Sequence, residues 1–199
     1  MFNKDFLKHA RWIKRQFANR RAERTDDGAI LLPGGSKIKG VYYHSVNGKD
    51  ERIDENLITN EGINYILDTA ILGSSTAHSS WYVALWSNNI TPDATLTAAN
   101  FPSTAGEITS STDGYAEASR VAYNGTRTGD GVIDNLASRA DFTIATPDNV
   151  VIAGAAVLSS SGKGDTTGVL LSIAKFSQAR TQYDGDIFSV GYKLMITPA

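Results

Sequence analysis

Asn56-Leu57-Ile58-Thr59-Asn60-Glu61-Gly62-Ile63-Asn64-Tyr65-Ile66-Leu67-Asp68-Thr69-Ala70-Ile71-Leu72-Gly73, then a short polar bridge, then Trp81-Tyr82-Val83-Ala84-Leu85-Trp86-Ser87-Asn88-Asn89, is the stretch that decides the fold. It reads as one capped helix feeding one buried strand. Thr59 or Asn60 can accept a hydrogen bond from the free amides of a helix start, and Glu61 suits the positive end of the dipole. Ile63, Ile66, Leu67, Ala70 and Ile71 recur at three and four residues, which predicts a single apolar face on a helix over about 59–72. Gly73 can take the left-handed conformation that closes such a helix. Trp81 to Trp86 is apolar or aromatic at every position, dense enough for a core strand.

Downstream, Asn88-Asn89-Ile90-Thr91-Pro92-Asp93 reads as a turn, and 94–113 as a long polar connection with Phe101 as an isolated anchor. Strand-like runs come next at Tyr115–Tyr123, Ser138–Thr146, Val150–Leu158, Val169–Phe176 and Ile187–Ile196. The glycine-rich 124–131 segment reads as a loop, and Asp148-Asn149 and Asp184-Gly185-Asp186 as turns. Turn signals recur roughly every ten residues, the spacing of an antiparallel sandwich or barrel. Upstream, Ala29-Ile30-Leu31-Leu32 turns at Pro33-Gly34-Gly35 into a half-exposed strand, Ser36 to Val46. Asn47-Gly48 is the strongest hairpin signal, because a type I′ turn needs positive φ at both central residues. Lys49 to Ile53 is the expected return strand. The fold class expected is mainly β: an antiparallel β-sandwich or jelly-roll-like domain over 29–199 with one packed helix.

With 199 residues there is room for one domain of ordinary size and an extension. The hydrophobic fraction of 41% suffices for a real core, and the 18 glycines fit a turn-rich β fold. There is no cysteine, which excludes disulfides and thiolate metal sites and suits assembly in a reducing cytosol. The N-terminus is charged from Lys4 and lacks a signal-peptide apolar core. No run approaches the ~20 apolar residues of a membrane span, so no membrane association is expected.

A net charge of −2 hides an asymmetry. Residues 1–24 hold eight basic side chains (Lys4, Lys8, Arg11, Lys14, Arg15, Arg20, Arg21, Arg24) against Asp5 and Glu23, a net of +6; the remaining 175 residues carry 11 basic and 19 acidic side chains, a net of −8. Phe2, Phe6, Ala10, Ile13 and Phe17 step by four, four, three and four, so a helix from about Asn3 to about Ala22 would carry an aromatic stripe among its cations. Three readings compete: packing on its own domain with the cations solvated, docking into an apolar and acidic surface of another protein, and binding to nucleic acid or a membrane surface. Docking is favoured, because the stripe sits at one end of the chain and is succeeded by a glycine-bearing hinge, Thr25-Asp26-Asp27-Gly28. Residues 1–28 are then a basic anchoring arm. Phe2, Phe6, Arg11, Ile13, Lys14, Phe17, Arg20 and Arg21 are its expected partner-docking residues.

Catalytic chemistry is hard to place. His9, His44 and His78 stand in three different contexts, none at metal-ligand spacing. Gly34-Gly35-Ser36-Lys37 and Gly162-Lys163-Gly164-Asp165-Thr166-Thr167-Gly168 evoke phosphate loops, but neither has the Gly-Lys-Ser/Thr order; the second reads as a tight turn. Asp130, Asp134, Asp184 and Asp186 match no EF-hand spacing. No catalytic residue, cofactor or metal site is expected.

The run Asn56 to Gly62 together with Trp81 to Pro92 resembles a family of small virion proteins of tailed bacteriophages. Tyr115-Ala116-Glu117-Ala118-Ser119-Arg120, Gly154 to Leu158, Lys175 to Arg180 and Gly185 to Tyr192 carry the resemblance on, over about residues 56–196; the first 55 residues take no part in it. Its motifs are structural rather than catalytic, and it implies a virion component without fixing its place. Together with the arm, the expectation is a non-enzymatic capsid decoration or head–tail collar subunit, assembled in the host cytoplasm. It would dock through its N-terminal helix to other virion proteins (capsid, portal or collar) and recur as a homo-oligomer or symmetric array. The alternative is a fibre or adhesin module whose 94–113 and 124–131 loops contact a host-surface glycan.

Overall fold

The computed structural model describes residues 23–24, 30–31 and 36–198, with side chains over 38–196. The expected N-terminal helix and the hinge at 25–28 lie outside the described residues. The chain divides into two units, Met1–Lys37 with Ile196–Ala199, and Ile38–Met195. In the first, β1 (Glu23–Arg24) pairs antiparallel with β2 (Ile30–Leu31).

The second unit is built from two antiparallel sheets. The seven-stranded sheet contains β3 (Ser36–Val46), β4 (Lys49–Glu55), β7 (Gly114–Tyr115), β9 (Thr126–Gly129), β10 (Val132–Asp134), β11 (Ala140–Ala145) and β14 (Ile187–Pro198). Its order is β4-β3-β14-β10-β9, with β11 also on β14 and β7 on β11. The five-stranded sheet contains β5 (Leu57–Ile58), β6 (Tyr82–Trp86), β8 (Val121–Ala122), β12 (Val150–Leu158) and β13 (Leu170–Gln182), in the order β5-β13-β12-β6-β8. The structure is thus mainly β, with few helical turns.

One core joins the two sheets. Tyr42, Phe142, Phe188, Val190 and Tyr192 of the larger sheet cluster with Val83, Leu85, Ile152, Ala155, Val157 and Phe176 of the smaller. Period-two alternation puts them there: along β11, Ala140, Phe142 and Ile144 are buried while Asp141 and Thr143 are exposed. A polar stitch crosses this core, the Tyr42 hydroxyl lying 2.8 Å from Ser172 Oγ. A second cluster lies on the other face of the smaller sheet, where Ala84, Trp86, Ala156 and Leu158 meet Leu96, Ala98, Phe101 and Ala105. Hence β6 and β12 are buried on both faces, which is why their sequences read as continuous apolar runs rather than alternating ones.

Three expectations need correction. The 94–113 connection is not a free polar loop: Phe101 is fully buried beside Leu96, Ala98 and Ala105, and Pro102–Gly106 winds into a π-turn. Tyr115–Tyr123 is not one strand, because Arg120 turns inward to a buried partner and leaves only the two-residue pairings of β7 and β8. The 124–131 segment contains β9 and the turn of a hairpin into β10, with Gly131 at φ 65°. Conversely, Asn47 and Gly48 take φ 49° and 69° between β3 and β4, as a type I′ turn requires.

The helix sits where expected and is closed by Gly73 as expected, but its last turn is a π-turn rather than an α-turn. α1 (Asn60–Leu67) is capped by Thr59, whose hydroxyl accepts the Gly62 N–H at 3.0 Å and donates to the Leu170 carbonyl. Glu61 Oε2 accepts the N–H groups of Ala98 (2.8 Å) and Leu170 (2.6 Å). Gly62 lies so close to β13 that a Cβ there would stand 2.5 Å from the Leu171 carbonyl oxygen. From Asp68 to Leu72 the backbone widens into a π-turn, closed by Gly73 at φ 61°. The single apolar face read from the sequence is therefore only partly used. Ile66 packs on the core and Ile63 is half-buried, while Leu67, Ala70 and Ile71 are exposed.

Candidate functional site

The docking residues named from the sequence, Phe2, Phe6, Arg11, Ile13, Lys14, Phe17, Arg20 and Arg21, all lie outside the described residues, as does His9. Three constellations within the second unit merit comparison as functional sites.

Glu107 and Arg120 form a fully buried two-pronged pair, Nε to Oε1 at 2.7 Å and Nη2 to Oε2 at 2.8 Å. Arg120 also donates to the carbonyls of Ser160 and Asp165, both at 3.0 Å, and Gly164 N–H donates to Glu107 Oε2 at 3.0 Å. Asp165 accepts from the Ser160 hydroxyl and from Thr167 N–H and Oγ1. These bonds hold its carboxyl down at about 2. Lys163 stands 3.5 Å over the Tyr115 ring and donates to the Tyr115 carbonyl. Partial burial lowers its pKa, against the raising effect of Glu117 and Glu107. The Gly162–Gly168 segment is therefore a turn locked to the body, with its lysine spent on an aromatic ring rather than held for a phosphate. Every charge in this constellation is answered by the protein itself.

The second constellation joins the outer strand β4 to β13. The buried His44 shares a 2.9 Å hydrogen bond between Nε2 and Asp54 Oδ2, and its ring stacks on Phe176 at 3.9 Å. Asp54 Oδ1 accepts the Ser177 N–H at 2.7 Å. Burial lowers the imidazole pKa, outweighing the hydrogen bond and charge of Asp54, which raise it. A His–Asp pair makes up two of the three members of a nucleophile-activating triad. Here Nδ1 has no hydrogen-bond partner, so no hydroxyl stands ready to be activated. Beside it, Arg180 and Arg52 converge on Asp50 Oδ2 at 2.9 and 3.0 Å, lining an open groove of about 530 Å³.

The third is the end of the helix. Leu67, Ile71 and Leu72 are 49%, 75% and 69% exposed. An i→i+5 turn is wider than an α-turn, so Leu67, Ile71 and Leu72, four and five residues apart, fall on one side. The helix and the bridge after it share an aromatic cluster: Tyr65 stacks on His78 at 5.1 Å, and both meet Trp81 edge-on. The His78 N–H donates to the Tyr65 hydroxyl at 2.7 Å, tying the 73–80 bridge back to the helix. Sequence periodicity placed Leu67 and Ile71 on the single apolar face of the helix and left Leu72 out of it. The π-turn that frees them has no signal in the residue pattern.

Among the described residues, no group of three or more His, Cys, Asp and Glu side chains is placed to hold a metal ion. Nor is any helix among them long and apolar enough to cross a membrane. No protein-family model matches the chain, and no curated protein matches it either.

Proposed function

We propose that this chain is a non-enzymatic structural protein of a tailed-phage virion, a capsid decoration or head–tail collar subunit. Its body is a β-sandwich of jelly-roll-like kind, and its basic, aromatic-striped residues 1–24 anchor it to an acidic surface of another virion protein. The observation that carries the reading is the bare helix end. A body that consumes its buried charges internally yet leaves Leu67, Ile71 and Leu72 in water offers a protein-contact face rather than a reaction cleft. The resemblance over 56–196 and the opposition of a +6 arm to a −8 remainder support the same reading. Copies arranged about a symmetry axis would gain avidity from individually modest contacts.

The test is to purify particles of the phage that encodes the chain and measure its copy number by quantitative mass spectrometry. A stoichiometric presence is expected, lost on deletion of residues 1–24 while the body keeps its circular dichroism spectrum. Absence of the intact chain from the particles rejects the proposal.

One observation favours the second reading, a fibre or adhesin module. Residues Thr126–Gly129 are exposed along their whole length at the outer edge of the larger sheet, where a host glycan has free access. Substitution of Thr126, Arg127 and Thr128 abolishes host adsorption on that reading and leaves it unchanged on the first.

A further inference from the structure

We infer that the helix end formed by Leu67, Ile71 and Leu72 is the contact through which two copies of this chain meet. The inference rests on the structural-protein reading, which requires recurring copies but does not say where they touch.

The surface is built to be covered. α1 is fixed at its start by the Thr59 cap, by Glu61 and by the close approach of Gly62 to β13. Beyond that pinned end Asp68 and Thr69 are half-buried, while Leu67, Ala70, Ile71 and Leu72 are exposed. The aliphatic residues there are the most exposed ones of the helix, 75% at Ile71 and 69% at Leu72. The Tyr65–His78–Trp81 cluster holds the adjoining bridge in place, so the face is preorganised and little ordering is required on contact. The bridge that succeeds the aliphatic residues in the chain is exposed and carries no acidic or basic side chain, with Ser74, Ser75, Thr76, Ser79 and Ser80 along it.

Charge decides the occupant. Residues 38–195 carry 10 basic and 17 acidic side chains, a net of −7, so the bodies of two copies repel each other. Gly62 to Ser80 is the exception: those residues hold one acidic or basic side chain, Asp68, in a chain with 20% charged residues. A second copy can approach there with little repulsion. A strongly cationic partner, including residues 1–24 of a neighbouring chain, gains nothing from a neutral face and is better served by the acidic remainder of the body. An apolar, uncharged face on an acidic body therefore fits another such face.

Sedimentation velocity on the full-length protein, up to roughly 0.3 mM, tests this. The native chain is expected to associate reversibly, and Ile71→Asp with Leu72→Asp to raise the dissociation constant at least about tenfold. Both positions are exposed, so circular dichroism and the melting temperature should not move. Because the chain has no cysteine, Ile71→Cys supplies a second readout: mild oxidation should give a disulfide-linked dimer, whereas Ile53→Cys, on exposed β4, should not. A native chain that stays monomeric throughout, or an unchanged association in the double variant, overturns the inference. Particle incorporation of the native chain is scored separately. Incorporation with unchanged self-association in the variant defeats only this contact, and loss of self-association without incorporation defeats only the virion reading.

Discussion

Glu107 and Arg120 face each other as a parallel fork, both wholly out of water, and the arginine's remaining bonds go to the carbonyls of Ser160 and Asp165. This pair ties the 107–120 region to the turn after β12, and it governs the first prediction. Breaking a buried ion pair from one side leaves an uncompensated charge and costs about 3–5 kcal/mol, whereas replacing both partners with apolar residues of similar volume is close to neutral. Arg120→Met is expected to lower unfolding free energy by that amount. Arg120→Met with Glu107→Leu should recover most of it, less the loss of the carbonyl bonds. Urea unfolding of the two variants decides the matter; a double variant no better than the single one would show that the carbonyl bonds, not the charge balance, dominate.

His44 gives stability a pH dependence whose direction comes from burial. Its folded pKa lies below the ordinary 6.5, so on acidification the unfolded ring takes up a proton before the folded ring does. Where the unfolded state binds more protons, stability rises with pH. The contribution is therefore complete above 6.5 and is lost as the pH falls through the folded value. The urea midpoint should drop between about pH 7.5 and pH 5, and His44→Gln should flatten that slope while lowering the midpoint at neutral pH. A slope identical in both proteins assigns the effect to another histidine.

The elements that were legible in the sequence are those whose local chemistry and tertiary setting agree. Asn47-Gly48 adopts its turn because the two residues tolerate positive φ, and Thr59 caps α1 because its hydroxyl has an amide within reach. Trp81–Trp86 announces burial on both faces by lacking polar residues. Where tertiary contacts overrule local pattern, the reading failed. Arg120 sits in an alternating run that looks like a strand, and only its distant partner Glu107 shows why the strand breaks. Phe101 looked like a lone anchor, since Leu96, Ala98 and Ala105 are small or widely spaced and become a core layer only under β6 and β12. The β9–β10 hairpin, exposed through most of its length, gave no periodic signal. The helix end was half legible: Leu67, Ile71 and the closing Gly73 were read from the sequence, but Leu72 and the π-turn that presents these side chains to water were not.

Gly62→Ala tests whether close backbone approach fixes the helix on β13. Inside a helix, alanine is ordinarily more stable than glycine by about 0.5–1 kcal/mol. Here the new methyl would lie 2.5 Å from the Leu171 carbonyl oxygen and 2.9 Å from its Cα, both backbone atoms. Overpacking of this kind costs about 1–3 kcal/mol, so the sign should invert. A lower melting temperature is expected; a higher one would mean that the helix can lift from β13 without penalty.

Glu61 is expected to matter through geometry more than through the helix dipole. One of its carboxylate oxygens accepts from Ala98 on the 94–100 segment and from Leu170 at the start of β13, while its own backbone belongs to α1. Three segments thus converge on a single atom. Glu61→Ala strands two inward-facing amides and should cost about 2–3 kcal/mol, since bonds to a charged acceptor are worth more than neutral ones. Glu61→Gln keeps an acceptor oxygen and should cost about half as much, losing the charge but not the junction. If the dipole were the main effect, the two variants would be equally destabilised and the loss would shrink in high salt. Hydrogen exchange separates the cases further: on the junction model, the Ala98 and Leu170 amides lose protection in Glu61→Ala and keep it in Glu61→Gln.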